Sequence, residues 1–395
     1  MGLIFFVIGI SAASPIAPGL MSWFILPKLN TQSVFAKFGV TWLITLSLSL
    51  VYASREVSRG GFDDFGNVYY YRYLEIQSNS SIGLSSKFAQ DGNISKFEVL
   101  YDVLLYVIAQ YPVKLGPNAL ILLTTLFIGT LYQVWCFKYF SKAFPDQIRS
   151  RVICCCLVLF SFGLCSQTAR QMLSIPFLLM TIWEGRFLWK ALFLILASAS
   201  HSSAFLVYLV YRFFKQFPRV GFILGVSCAV IFSGSGMEII QQYIESGGDD
   251  AVDKAQYYAS GDAQQHAAIN FKYVWIPIFL FLITTLRGKQ VGADLKSLAA
   301  VGLIVYIILI NVPLASYRAT LFLTAALVGP IMVISNLQIK WLGLGNFWLP
   351  NLLSFVMVAK RAFSGHDGEP MALWYKYELI GVTPFYYLKN LFDGT

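Results

Sequence analysis

Four arginines stand where a guanidinium could do chemistry: Arg55 and Arg59 in "ASREVSRGGFDDFGNVYYYRYLE", Arg170 in "CSQTARQMLS" and Arg318 in "ASYRATL". A guanidinium is a planar fork that matches a phosphate group with two parallel hydrogen bonds and needs no metal to do so. Arg170 does not stand alone. Gln167, Arg170, Gln171 and Ser174 fall at i, i+3, i+4 and i+7, which on one continuous helix makes a single polar stripe. An arginine at the centre of a bilayer costs about 2.5–3.5 kcal/mol on insertion scales, so this one needs a partner, a cavity or a task. A general base would complete the set, and Asp63, Asp64, Glu98 and His201 are the side chains that could serve.

Each feature also has a plainer explanation. A lone arginine near a helix end snorkels to the interface, and His201 in "SASHSSAF" caps a helix end. Tyr69 and Tyr73 belong to an interfacial aromatic belt or form a stacking platform for a ring. The pairs Asp63-Asp64 and Asp249-Asp250 are of a kind common in solvated loops. The Gln167–Ser174 stripe resists such treatment, because a snorkelling arginine does not need two glutamines and a serine aligned with it.

The elements that must position these groups follow from composition. Of 395 residues, 57% are hydrophobic, 16% aromatic and only 12% charged. Soluble domains carry about 25% charged residues, so the chain is an all-α polytopic integral membrane protein, forming one folding unit over 1–395. The net charge of +9 comes without a basic run interleaved with aromatics, so no nucleic-acid partner is expected. Six cysteines lie in apolar stretches and read as packing residues; three scattered histidines predict no metal centre, and no cofactor is expected.

The first basic residue is Lys28, so the N-terminal apolar run is expected to be a retained span that enters with its N-terminus outside. Further apolar stretches near 38–54, 117–137, 150–166, 168–184, 187–200, 203–214, 219–236, 271–287, 297–313, 318–335 and 341–358 bring the expected number to about twelve. The pair 187–200 and 203–214 is short for spanning helices. Residues 97–112 are apolar but studded with Glu98, Asp102 and Gln110; as a full span they would put Lys138, Lys142, Arg149 and Arg151 outside. They are therefore expected to form an interfacial or re-entrant helix. With that topology the short inside loops hold fifteen basic residues against Asp146, Glu184 and Asp294, leaving fourteen basic and seventeen acidic residues outside. The long outer segments are 55–116, 237–270 and 359–395, and they bring Arg55, Arg59, Asp63, Asp64, Glu98, Arg170, His201 and Arg318 to one face.

The segments "TARQMLSIPFLLM" and "FLWKALFLILASASHSSAFLVYLVYRFF" resemble the Arg-Gln … His-Ser-(Ser/Ala) signature of the EpsG and Wzy families of polysaccharide polymerases. "SREVSRGGFDDFGNVYYYRY" is similar to the Arg … Gly-x-Asp … Tyr outer loop of those families, and "KFEVLYDVLLYVIAQ" to their Phe-Glu-Pro … Leu helix, with Val99 where proline is common. The resemblance covers most of residues 40–215, with a weaker match through Tyr317-Arg318. It implies a GT-C-like enzyme of the bacterial inner (plasma) membrane with its active site facing the periplasm. The implied reaction joins repeat units carried on undecaprenyl diphosphate into O-antigen or a related surface polysaccharide, within lipopolysaccharide biosynthesis. The implied partners are the lipid-linked oligosaccharide, membrane lipid, a chain-length regulator and a flippase.

Breaking the donor's anomeric bond develops charge on the diphosphate, which Arg55, Arg59, Arg170 and Arg318 are placed to take without a metal. Two other classes are alternatives to the polymerase. A lipid-linked oligosaccharide flippase or other transporter would line a path to mid-membrane with charge, and the span centres here are nearly free of it. An O-antigen ligase or membrane acyltransferase shares the outer location.

The topology predicts that Lys114→Cys is labelled by an impermeant thiol reagent from the periplasm and Lys142→Cys is not. Periplasmic labelling at position 142 would overturn it.

Overall fold

The computed structural model describes residues 34–53, 57, 65–78, 99–110, 114–232, 293–309, 316 and 318–338. Every regular element among them is helical, with no strand among the described residues. Pro117–Ala143 is the one stretch of described helix long and apolar enough to cross a bilayer; Val34–Leu50, Leu100–Ala109, Phe187–Ser200 and Pro218–Cys228 are shorter apolar helices. The expected spans at the N-terminus, 271–287 and 341–358 lie outside the described residues. The chain divides into two compact units, residues 1–202 with 346–395, and residues 203–345.

In the first unit, α1 (Val34–Ala53) is followed by a π-helical turn (Phe65–Tyr69) that leads into α2 (Tyr70–Ser78), and then by α3 (Leu100–Ala109). The long α4 (Pro117–Lys138) starts from an extended Gly116 with proline in its first turn, where the missing N–H costs nothing. A 3₁₀ turn (Phe140–Ala143) leads to α5 (Asp146–Leu159), the short α6 (Phe162–Gln167), α7 (Ala169–Trp183) and α8 (Phe187–Ser200). At 1.5 Å per residue the ten residues of α3 reach about 15 Å, half of a hydrocarbon core about 30 Å thick.

The expected stretch 168–184 is the helix Ala169–Trp183, while the expected span at 150–166 needs one correction. The helix that begins at Asp146 stops at Leu159, and the chain turns through Phe160 and Ser161 into α6 before breaking again at Thr168. Thr168 has φ −125° and ψ 51°, and both its N–H (2.8 Å) and its hydroxyl (3.1 Å) return to the carbonyl of Leu164. A hydroxyl that returns to the preceding turn supplies a carbonyl of that turn with a partner where the helix ends.

Inside the unit, α4 is tied to α1 by a fully partnered glutamine. Gln133, wholly buried, accepts from the Thr45 hydroxyl at 2.9 Å and donates to Thr41 Oγ1 at 2.8 Å and the Phe38 carbonyl at 3.0 Å. Closer to the other end of α4, the Asn118 amide donates to the Ala53 carbonyl at 2.6 Å, so α1 and α4 run antiparallel. Aromatic rings fill the space behind them, with Tyr132 stacked on Phe160 at 4.2 Å and Phe160 edge-on to Phe162 at 5.1 Å. A Cβ on Gly129 would meet the Phe162 ring at 2.5 Å, so the helices close only because that side chain is absent. Cys136, Cys154, Cys155, Cys156 and Cys165 are buried and free; Cys228 is free and exposed.

The second unit contains α9 (Ser203–Gln216), α10 (Pro218–Phe232), α11 (Ala293–Ile308), α12 (Leu321–Thr324) and α13 (Val328–Gln338). Asp294, in the first turn of α11, takes Lys215 at 2.6 Å and the Tyr211 hydroxyl, pinning α9 to α11. Gly225 and Gly302 admit Ile304 and Leu323 at distances no Cβ would allow.

One end of the first unit is basic. Lys138, Lys142, Arg149, Arg151, Arg186 and Lys190 gather where α4 and α7 end and α5 and α8 begin. There Glu184, buried, accepts the Tyr139 hydroxyl at 2.6 Å, the Arg186 N–H at 3.1 Å and Lys138 Nζ at 3.4 Å. The Tyr139 hydroxyl first, then the Arg186 amide, lower its carboxyl from the ordinary 4.5 to about 2. A depressed carboxyl contributes stability that is present above its unfolded value and is lost as pH falls through its folded one. Glu184→Gln should therefore cost about 1.5–3 kcal/mol near neutral pH. The gap to wild type should narrow from pH 4.5 towards pH 2 in thermal denaturation of the solubilised protein. A constant gap across that range would show that the charge is not what holds the joint.

Candidate functional site

At the end of the first unit opposite the basic one, α3 carries two consecutive residues that hold different elements. Tyr101 is fully buried and its hydroxyl shares a hydrogen bond with Thr124 of α4 at 3.3 Å. Burial pushes this phenol well above its ordinary value, against the opposing pull of the Thr124 bond, so it stays protonated. It is a donor and a wall, not a base. Asp102, also buried, pairs its Oδ1 with Arg72 Nε at 3.1 Å, both side chains being at most 15% exposed.

The turn and helix that Arg72 belongs to are thereby seated. Tyr69 presents its ring to the edge of Tyr101 at 5.0 Å and 70°, with Phe65 edge-on behind it at 6.3 Å. The Tyr73 hydroxyl accepts the Leu115 N–H at 3.0 Å, just before α4 starts. Arg170, one residue into α7, lies over the face of Tyr69 with its guanidinium carbon 5.8 Å from the ring centroid. A ring of negative face beneath a guanidinium attracts it by about 0.5–2 kcal/mol. Because all five N–H donors lie in the guanidinium plane, a ring over its face does not itself occupy them.

The residues predicted from sequence divide accordingly. Arg55, Arg59, Asp63, Asp64 and Glu98 lie outside the described residues. Tyr69 and Tyr73 are 7% and 0% exposed, so neither ring is open as a stacking platform; one supports Arg170 and the other fastens α2. The continuous polar stripe is corrected by the break at Thr168: Gln167 ends α6, while Arg170, Gln171 and Ser174 belong to α7. Gln167, Arg170 and Gln171 are half-buried. Ser174 is buried and donates back to the Gln171 carbonyl at 2.6 Å, which turns it away from lining a cavity. His201 follows the last residue of α8, half-buried, with its backbone N–H donating to the Ala197 carbonyl at 3.0 Å. Since α3 packs on both α7 and α8, His201 and Arg170 belong to the same end of the unit. Arg318 belongs to the second unit, half-buried just before α12.

Arg72, Asp102, Tyr101 and Thr124 were not among the predicted site residues. The available signal was an aspartate in the otherwise apolar "LYDVLLYVIA", since a buried carboxylate needs a cation. Among the described residues no group of three or more His, Cys, Asp and Glu side chains is arranged to hold a metal ion.

A comparison of the chain with protein families finds that the EpsG family model matches residues 40–379. No curated protein and no solved structure matches it.

Proposed function

The chain belongs to the EpsG family, a family of Wzy-like polymerases, and on that premise we propose that it polymerises a lipid-linked surface polysaccharide such as O-antigen. The proposed reaction transfers a growing glycan from undecaprenyl diphosphate to the hydroxyl of a new lipid-linked repeat unit. The proposed setting is the inner membrane, with about twelve spans of GT-C-like arrangement and the Arg170 end of the first unit facing the periplasm. The basic Lys138–Lys190 end then faces the cytoplasm, as the positive-inside rule requires.

One observation carries the proposal: an arginine held on a tyrosine face at a helix start, beside a short apolar helix too short to span. Outside the inner membrane no nucleotide sugar is expected, so a lipid diphosphate is the leaving group at hand. The guanidinium takes charge as the anomeric bond breaks, with Arg55 and Arg59 as further cations. The acceptor proton goes to a carboxylate or imidazole from Asp63, Asp64, Glu98 and His201. Gln171, next to Arg170 on α7, orients the bridging oxygen of the diphosphate. The short α3 shapes the lateral slot for the polyprenyl tail, and charge on the diphosphate is met by arginine without a metal.

Two outcomes are expected. Purified protein treated with a chelator should go on elongating a lipid-linked repeat unit. Loss restored by magnesium or manganese would instead make Asp63-Asp64 a metal site. Arg170→Lys keeps the charge but removes the planar fork, so a bidentate transition-state contact worth about 10²–10³ in rate is lost. In a deletion strain with wild-type membrane levels of the variant, the surface glycan should collapse to a single repeat unit. A wild-type ladder would reduce Arg170 to a snorkelling residue.

A further inference from the structure

The Arg72–Asp102 pair is out of proportion to any contribution to stability. Two charges with side chains only 15% and 10% exposed lose most of their hydration, and such pairs often return no more than apolar side chains of the same volume would. The best-attested use of a shielded pair is to fix register. The register at stake here is visible. Tyr69 and Arg72 stand three residues apart, and they meet the adjacent α3 residues Tyr101 and Asp102 respectively. Tyr101 in turn rests on Thr124 of α4. A slip of α2 along α3 would therefore break the ion pair and slide the Tyr69 ring from beneath Arg170.

We propose that Asp102 is a positioning residue for the Arg170 guanidinium: through Arg72 it fixes Tyr69 against α3, and the Tyr69 ring sets the plane from which Arg170 presents its donors to a diphosphate. The inference rests on the reading of Arg170 as the diphosphate ligand. Asp102 itself touches no reacting atom in this account, so its effect must pass through Arg170 and vanish when the fork is absent.

The test is a double-mutant cycle on the purified full-length protein with undecaprenyl diphosphate as the probe. Asp102→Asn keeps the volume and removes the charge. It and Arg170→Lys should each weaken binding about tenfold, while the double variant binds no more weakly than the weaker single one. Arg72→Lys retains a cation beside Asp102 without the fork, and it should behave in the same cycle as Asp102→Asn does; it decides the matter if the asparagine variant fails to fold. A merely structural role would lower the thermal midpoint and weaken binding by the same factor whether position 170 is arginine or lysine, and that multiplicative result would overturn the inference. Wild-type binding by Asp102→Asn alongside weakened Arg170→Lys would also overturn it, while leaving Arg170 as the ligand. Wild-type binding by Arg170→Lys would remove the ligand reading and this inference together.

Discussion

Hydrocarbon offers no hydrogen bonds, so a chain of this composition must find every partner for its polar groups within itself. That constraint orders the first unit. Gln133 satisfies its amide on three groups of α1, and Asn118 reaches the last carbonyl of the same helix, so the α1–α4 pair is fixed near both ends by amides and in the middle by Gly129. The same rule explains why Thr168 can interrupt a buried segment: its hydroxyl and amide both return to Leu164. A break that would be ruinous in lipid becomes a usable corner.

The proposed site sits where this internal satisfaction is arranged around charge. Arg170 follows directly on the Thr168 corner, and its support comes from residues far away in sequence, Tyr69 on one side and the α3 pair behind it. The corner, the short helix and the π-helical turn leading into α2 are three irregular or truncated elements meeting at one end of the unit. The opposite end is built differently, from a 3₁₀ turn (Phe140–Ala143), a basic surface and a carboxylate joint at Glu184. The contrast lies in charge: one end gathers lysines and arginines, whereas the other sets a single guanidinium against an aromatic face.

Much of this was legible in the sequence, for a specific reason in each case. The run between Arg186 and His201 is apolar with sharp polar borders, and the helix there is Phe187–Ser200 as expected from 187–200. Likewise 117–137 became Pro117–Lys138, bounded by Gly116-Pro117 and a lysine. Periodicity failed where a side chain could replace the helix's own bonding. Thr168 ends the helix through a local hydroxyl bond, so a spacing of i, i+3, i+4 and i+7 no longer describes one face for Gln167. Ser174 could be placed on the right helix but not the right partner, since its bond to Gln171 leaves no mark in the spacing. The Arg72–Asp102 pair joins residues thirty positions apart, and nothing local in "YYYRYLE" or "LYDVLL" says which charge meets which. Family membership was legible because it rests on the order of several short motifs, which survives uncertainty about any one element.

The most direct test of the central claim is the surface glycan of a strain that lacks this protein, resolved by chain length beside its lipid-linked intermediates. A polymerase predicts a surface carrying at most one repeat unit, with single units accumulating on the polyprenyl carrier. A surface with no repeat unit at all would point to a ligase or flippase, and a full wild-type ladder would remove the protein from chain assembly; either result contradicts the account.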